Sequence, residues 1–205
     1  MQCEERGQQL MRHLVRKLAP VLLGVKPAGL VRLTNCGRIG GGAQCDLFCI
    51  HQREILEALR LECRILRRDG SDWVVLFYRR VVLEKVLAGS TAAAFLTECG
   101  YPAGQGMPAV LEELTARCRR GGEFPHEIGI FLGYPLKDVR GFMENPAACL
   151  ALPRGMWRIA GNPAESLAVM ESFRCAEAKV VRLLEESGSL PELIERIHND
   201  AETAA

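Results

Sequence analysis

The stretch richest in groups that could do chemistry is Phe124-Pro125-His126-Glu127-Ile128-Gly129-Ile130-Phe131-Leu132-Gly133-Tyr134-Pro135-Leu136-Lys137-Asp138-Val139-Arg140-Gly141-Phe142. His126 and Glu127 fall where a short helix, Glu127 to Leu132, is expected to begin. Unsatisfied N–H groups at a helix N-terminus favour a carboxylate and disfavour an imidazolium. A neutral imidazole beside a carboxylate could act as a general base or hold a ligand, with Tyr134 nearby. The plainer alternative is that Glu127 helps cap the helix while His126 bonds to a neighbouring backbone group. The pattern is not that of a zinc protease, because no second histidine follows at the required spacing. Gly129 and Gly133, four apart, fit close backbone packing.

Four further groups could carry chemistry. Lys26 precedes the first expected strand, and Tyr78 and Arg79 end an expected hairpin; with Arg80 they could bind an anion at the strand ends, where sheet-based sites gather polar groups. Otherwise they are cations exposed at strand termini. The glycine-rich loop Gly37-Arg38-Ile39-Gly40-Gly41-Gly42 lies between a strand and a helix, a place where phosphates are cradled. It lacks both the Gly-Lys-Ser/Thr ending of a P-loop and the dinucleotide spacing, which leaves a surface loop as the alternative. Cys36, Cys45, Cys49 and His51 offer thiolate and imidazole donors for zinc. Their spacing matches no standard pair of knuckles, and Leu47, Phe48 and Ile50 give the stretch the character of a buried helix start. Trp157 reads as core or as the floor of a pocket. No Ser/His/Asp or Cys/His catalytic arrangement can be assigned, and His13 and His198 read as surface residues on terminal helices.

The elements that must position these groups follow from apolar periodicity. A helix over Glu4–Leu18 carries Leu10, Met11, Leu14, Val15 and Leu18 on one stripe. Val21 to Val25 leads into a strand at Gly29–Thr34, and a helix after the glycine-rich loop ends near Arg60. Leu61–Arg68 and Ser71–Arg79 alternate, with Leu61, Cys63 and Ile65 on one face, and Trp73, Val75 and Phe77 opposite Val74, Leu76 and Tyr78. Asp69-Gly70 between them makes a β-hairpin. Helical pattern runs from Val81 to Gly122 in three pieces, broken at Gly89-Ser90 and Gly100–Gly104. Leu136–Glu144 forms another helix with Leu136, Val139, Phe142 and Met143 inward, and Met156–Ala160 reads as a last strand. Asn162-Pro163-Ala164-Glu165 then starts a long helix, with Asn as cap, Pro in the first turn and Glu three residues past the cap. Ser189-Leu190-Pro191-Glu192 repeats that logic, and residues from 199 on read as a frayed tail. Gly100-Tyr101-Pro102 and Gly133-Tyr134-Pro135 use one helix stop twice, a left-handed glycine followed by proline. The expectation is an α+β fold: a small antiparallel or mixed sheet of about four strands among about eight helices, as a single domain over 1–198.

Composition narrows the classes. The chain has 205 residues, 48% of them hydrophobic and 25% charged, an ordinary globular balance. Its 26 basic and 25 acidic residues nearly cancel, which argues against a broad nucleic-acid footprint. The basic clusters Arg64, Arg67, Arg68 and Arg117, Arg119, Arg120 have acidic neighbours and read as solvated surface. The opening Met-Gln-Cys-Glu-Glu-Arg lacks the pattern of a signal peptide, and no apolar run approaches the ~20 residues that span a bilayer. Nine cysteines in no tight framework then read as reduced thiols of a cytoplasmic protein.

The segment Phe124–Phe142 resembles the signature of a bacterial family designated only as domain of unknown function 3793, found mainly in anaerobic bacteria. Weaker similarity covers most of the chain, including Ala19-Pro20, Gly24-Val25-Lys26, Tyr78-Arg79, Cys99-Gly100-Tyr101-Pro102 and Trp157-Arg158-Ile159. Two places depart from the pattern. Many relatives carry Gly-Cys-Trp before the last strand, where this chain has Gly155-Met156-Trp157, and the Gly37–Cys49 loop is longer than usual. The resemblance implies the fold outline and a bacterial cytosolic setting, and it carries no activity. The sequence therefore supports three readings. The leading one is a pocket protein holding a small anionic ligand or cofactor through His126, Glu127, Tyr134, Lys26, Tyr78 and Arg79. The others are a non-catalytic module for a protein partner, and a Cys/His metal or redox protein. Neither a cofactor nor a metal is named by the residues.

Overall fold

The structure is a computed structural model and describes residues 2–35, 44–120 and 123–203. The glycine-rich loop Gly37–Gly42 and Cys36 lie outside the described residues. Helix α1 (Gln2–Lys17) buries the expected stripe: Leu10, Met11, Leu14 and Val15, with Leu18 just beyond, are all in the core. Pro20 then stands in the first turn of α2 (Ala19–Leu22), one helical turn where the sequence reads as a lead into a strand. Proline's fixed φ favours such a start. β1 (Ala28–Thr34), β2 (Glu62–Asp69) and β3 (Asp72–Tyr78) form an antiparallel sheet in the order β1-β3-β2. Between β2 and β3 the hairpin closes on Gly70, at φ +55°, with Asp69 opposite Asp72.

Period-2 alternation sorts the sheet into two faces. Val31, Leu33, Val75 and Phe77 point into one core, built with α1, α2, α3 (Gln44–Leu59), α9 (Ala164–Glu186) and α10 (Leu190–Thr203). Ala28, Leu66, Leu76 and Tyr78 point into a second core with α4 (Arg80–Ala88), α5 (Ser90–Glu98), α6 (Met107–Arg119), α7 (Ile128–Phe131) and α8 (Leu136–Glu144). Burying each large apolar side chain contributes roughly 1.5–3 kcal/mol, so both faces are firmly held.

The fold is α+β as expected, with ten α-helices and three strands among the described residues. The fourth strand expected at Met156–Ala160 is reduced to one bridge, in which Leu150 and Ile159 exchange backbone bonds at 2.8 and 2.9 Å. Its neighbours make other bonds: the Ala160 N–H goes to a side-chain carboxylate, and Arg154 turns the chain at φ +61°. The two Gly-Tyr-Pro stops behave as read, with Gly100 at φ +82° and Gly133 at φ +74°. Ser189 accepts from the Glu192 N–H at 3.3 Å and caps α10 as expected, whereas the N-cap of α9 is Pro163, and Asn162, one residue earlier, accepts from the Ala164 N–H at 3.0 Å in the turn that leads into the helix. α10 continues through residues 199–203, read from sequence as a frayed tail; Ala201 is buried, and Asp200 and Glu202 pair with Lys179 and Arg60. His13 and His198 are half-buried rather than on the surface. No described helix is long and apolar enough to cross a membrane.

Candidate functional site

α7 and α8 meet at a corner fixed by two glycines. Gly133 takes a positive φ and stands where an added Cβ would lie 2.6 Å from Pro27. Gly141 lets the 157–160 segment approach α8, since a Cβ there would lie 2.4 Å from the Ala160 Cβ. A cleft of about 370 Å³ opens between this corner and that segment. Its walls are almost wholly apolar and aromatic: Phe124, Tyr134, Val139, Phe142 and Trp157, with His126 and Arg158 as the polar members beside the sealed Asp138. The Tyr134 and Trp157 rings stack at 4.3 Å with 20° between their planes. His126 stands edge-on to Phe142 at 4.9 Å. The His126–Phe142 separation falls in the favourable range for aromatic pairs, and the Tyr134–Trp157 stack is slightly closer than that range.

Asp138 holds the wall together. Its carboxylate is buried and accepts four bonds: Lys137 Nζ at 2.7 Å and the Ala160 N–H at 2.9 Å on Oδ1, Trp157 Nε1 at 2.7 Å and Ser166 Oγ at 2.6 Å on Oδ2. Burial alone would push this carboxyl up; the bonds from Lys137, Ser166, Trp157 and Ala160 outweigh it and hold it below the ordinary value. Lys137 is equally committed, donating also to the Ala160 carbonyl at 2.9 Å and Ser166 Oγ at 2.7 Å. One carboxylate thus joins α8, the indole and the first turn of α9, and its charge is consumed inside the protein. Arg158 donates to the Pro146 carbonyl at 3.0 Å, is exposed, and has no carboxylate partner among the described residues.

The structure brings together two of the six residues singled out from sequence. His126 and Tyr134 line the cleft. Glu127 turns away from His126 into the second core, where its Oε1 accepts from Tyr101 Oη at 3.0 Å and Arg117 Nη1 at 2.9 Å. It makes no cap bond to α7. Burial, then the Glu127 charge, pushes the Tyr101 phenol up. Tyr78 is buried and donates to Glu62 at 3.1 Å; burial, helped by that carboxylate, moves it up to about 12. Arg79 donates to the Leu22 carbonyl at 3.3 Å and so secures the end of α2. Lys26 stands outside the cleft lining, with Nζ 5.6 Å from the Tyr134 ring centre and 5.1 Å from that of Phe173. The six do not converge on one anion site.

Sequence reasoning missed Asp138, Lys137, Ser166, Phe142 and Arg158 as site residues. Helical spacing marks Phe142 only as inward, and it reads Met143 as inward too, whereas Met143 is 40% exposed. The other four act through tertiary bonds, and the sole local sign is that Lys137-Asp138 falls inside the motif. The cysteines divide as well. Cys45 is buried with its thiol facing the Leu33 and Ser71 carbonyls, Cys49 is exposed, and His51 meets Glu54 at 3.1 Å. Among the described residues no three His, Cys, Asp or Glu side chains gather as metal ligands.

A family model described as "Protein of unknown function (DUF3793)" matches residues 14–194. No curated protein and no solved structure matches the chain.

Proposed function

The chain belongs to that family, and from this premise we propose that it is a binding protein for a small, largely apolar anion, held in the cleft between α7–α8 and the Trp157–Arg158 segment. One observation carries this reading. Around an aromatic cleft of ligand size, Asp138 and Lys137 neutralise each other, and Arg158 keeps a cation with no carboxylate partner among the described residues. Pockets of a few hundred Å³ with mainly apolar walls and few polar groups are the usual form of small-molecule sites. Phe142, Tyr134 and Trp157 would contact the flat apolar part of the ligand. Arg158, with His126, would meet its acidic group at the mouth. No side chain in the cleft is arranged as an activated nucleophile, so the proposal is binding rather than turnover. A bacterial cytoplasmic setting without nucleic-acid partners goes with it and rests on composition and charge.

A second reading has its own support. Met143 on α8 and Leu150, which bridges Ile159 of the Trp157–Ala160 segment, are 40% and 48% exposed, and a protein partner could cover both. Native mass spectrometry of the chain purified without oxygen from its own host separates the two. The binding reading expects one small molecule per chain, absent from Phe142→Ala. A co-purifying protein lost on Leu150→Asp would move the assignment to a partner-binding module, and a bare chain that also ignores added aromatic acids would end the small-ligand reading.

A further inference from the structure

Two rings pack against the Trp157 indole: Tyr134 stacks on it at 4.3 Å, and Phe173 meets it edge-on at 6.2 Å. Lys26 lies over both of them. Its Nζ is 5.6 Å from the Tyr134 ring centre and 5.1 Å from that of Phe173, and it has no hydrogen-bond or ion-pair partner among the described residues. The backbone brings it there. Gly24 turns the chain at φ +75°, and the Val25 and Lys26 amides both bond the Pro20 carbonyl at 3.0 Å. Gly133, beside Tyr134, leaves room for Pro27 where any side chain would collide. Glu177 on α9 acts on Lys26 only through space, and it is exposed, so water screens it more than the half-buried amine.

We propose that Lys26 is a positioning and specificity residue of the cleft, acting through Tyr134 and Phe173: its ammonium holds the aromatic wall and makes the cleft prefer an aryl carboxylate to a neutral ligand of the same shape. The inference rests on the binding reading above and extends it to the choice of ligand. Burial lowers the ammonium from its ordinary 10.5, a value far above neutrality, while Glu177 and the two ring faces favour the charged form, so the amine is a cation at pH 7. Beside the cleft Asp138 and Lys137 neutralise each other. The positive field on a ligand there comes from Arg158 at the mouth and from Lys26 across the Tyr134 ring. An unpaired charge is felt more strongly through protein than through water, and it acts on an anion but not on a neutral isostere. Arg158 thus supplies a direct contact, and Lys26 adds selection for charge without touching the ligand, since it does not line the cleft.

The test compares 1-naphthoate with 1-naphthamide, its neutral isostere, each titrated at pH 7 against the full chain while the Trp157 indole signal is followed. The native chain should bind both, the carboxylate more tightly. Lys26→Met should raise the naphthoate Kd about fivefold and change the naphthamide Kd by less than about twofold, whereas Lys26→Arg should keep naphthoate within about twofold of the native chain. Lys26→Gln gives the same comparison if Lys26→Met does not fold. Equal loss for both ligands would reduce Lys26 to packing, and no loss for either would remove it from the site; each result overturns the proposal. A native chain that binds neither ligand overturns the cleft reading itself, and this inference with it.

Discussion

Glu127 and Asp138 are carboxylates of one motif, both buried, both hydrogen-bonded, and they serve different parts of the molecule. Glu127 binds Tyr101 and Arg117 through a single oxygen and ties the start of α7 to α6 and the end of α5. Asp138 uses both oxygens on four donors and fixes the indole that walls the cleft. The difference teaches that a titratable residue beside a histidine does not belong to a site by adjacency. Around a single turn such as α7, neighbouring side chains point in widely different directions, and His126 and Glu127 separate accordingly.

The largest expected effect follows from removing the fuller of the two networks. Asp138→Ala leaves the Trp157 and Ala160 N–H groups and Ser166 without their acceptor and Lys137 without its counter-charge, and urea unfolding should show a loss of about 3–5 kcal/mol. Trp157 emission should change with it. Glu127→Ala should cost less, about 2 kcal/mol, because Arg117 keeps Glu113 at 2.8 Å and the Cys99 carbonyl at 2.7 Å. Affinity for an aromatic anion should survive Glu127→Ala and fall in Asp138→Ala. Equal loss in both would erase the distinction between the two carboxylates.

Acid gives a second test of the Asp138 network. The Asp138 carboxyl lies below its ordinary 3.8 in the folded state. Its contribution is therefore fully present above pH 3.8 and disappears as pH falls through the lower folded value. Stability measured between pH 5 and pH 2 should drop less steeply in Asp138→Ala than in the native chain. Gly141→Ala should cost about 1–2 kcal/mol by forcing Ala160 away from α8, and it should weaken the near-ultraviolet signal of the Tyr134–Trp157 stack. Arg158→Ala should have the smallest effect on stability, because the side chain is exposed. It should weaken binding of an aromatic acid about tenfold, as loss of a charged hydrogen bond does.

Much of the architecture was legible because it rests on local pattern. The α1 stripe, the hairpin at Gly70, the two Gly-Tyr-Pro stops and the Ser189 cap each follow from periodicity or from one residue's local preference. The expected fourth strand failed for a reason no local pattern contains: Ala160 gives its N–H to Asp138, and the stretch pairs only at Leu150 and Ile159. The site was legible in part. His126 and Tyr134 stand out by type and position and do line the cleft. Lys26, Tyr78 and Arg79 were grouped because strand ends collect polar groups, but each is committed elsewhere, to aromatic rings, to Glu62 and to the Leu22 carbonyl. Ser166 and Trp157 join the motif only when α9 and the preceding segment fold back on α8, and sequence spacing carries no trace of that.

Two tryptophans make the central claim directly measurable. Trp157 lines the cleft and Trp73 lies in the sheet, packed against the core on the opposite face. In a nitrogen–proton correlation spectrum titrated with 1-naphthoate, the Trp157 indole signal is expected to shift saturably while that of Trp73 stays fixed, and Arg158→Ala should raise the midpoint about tenfold. An unmoved Trp157 signal, or equal drift of both indoles, would contradict a binding site in the cleft.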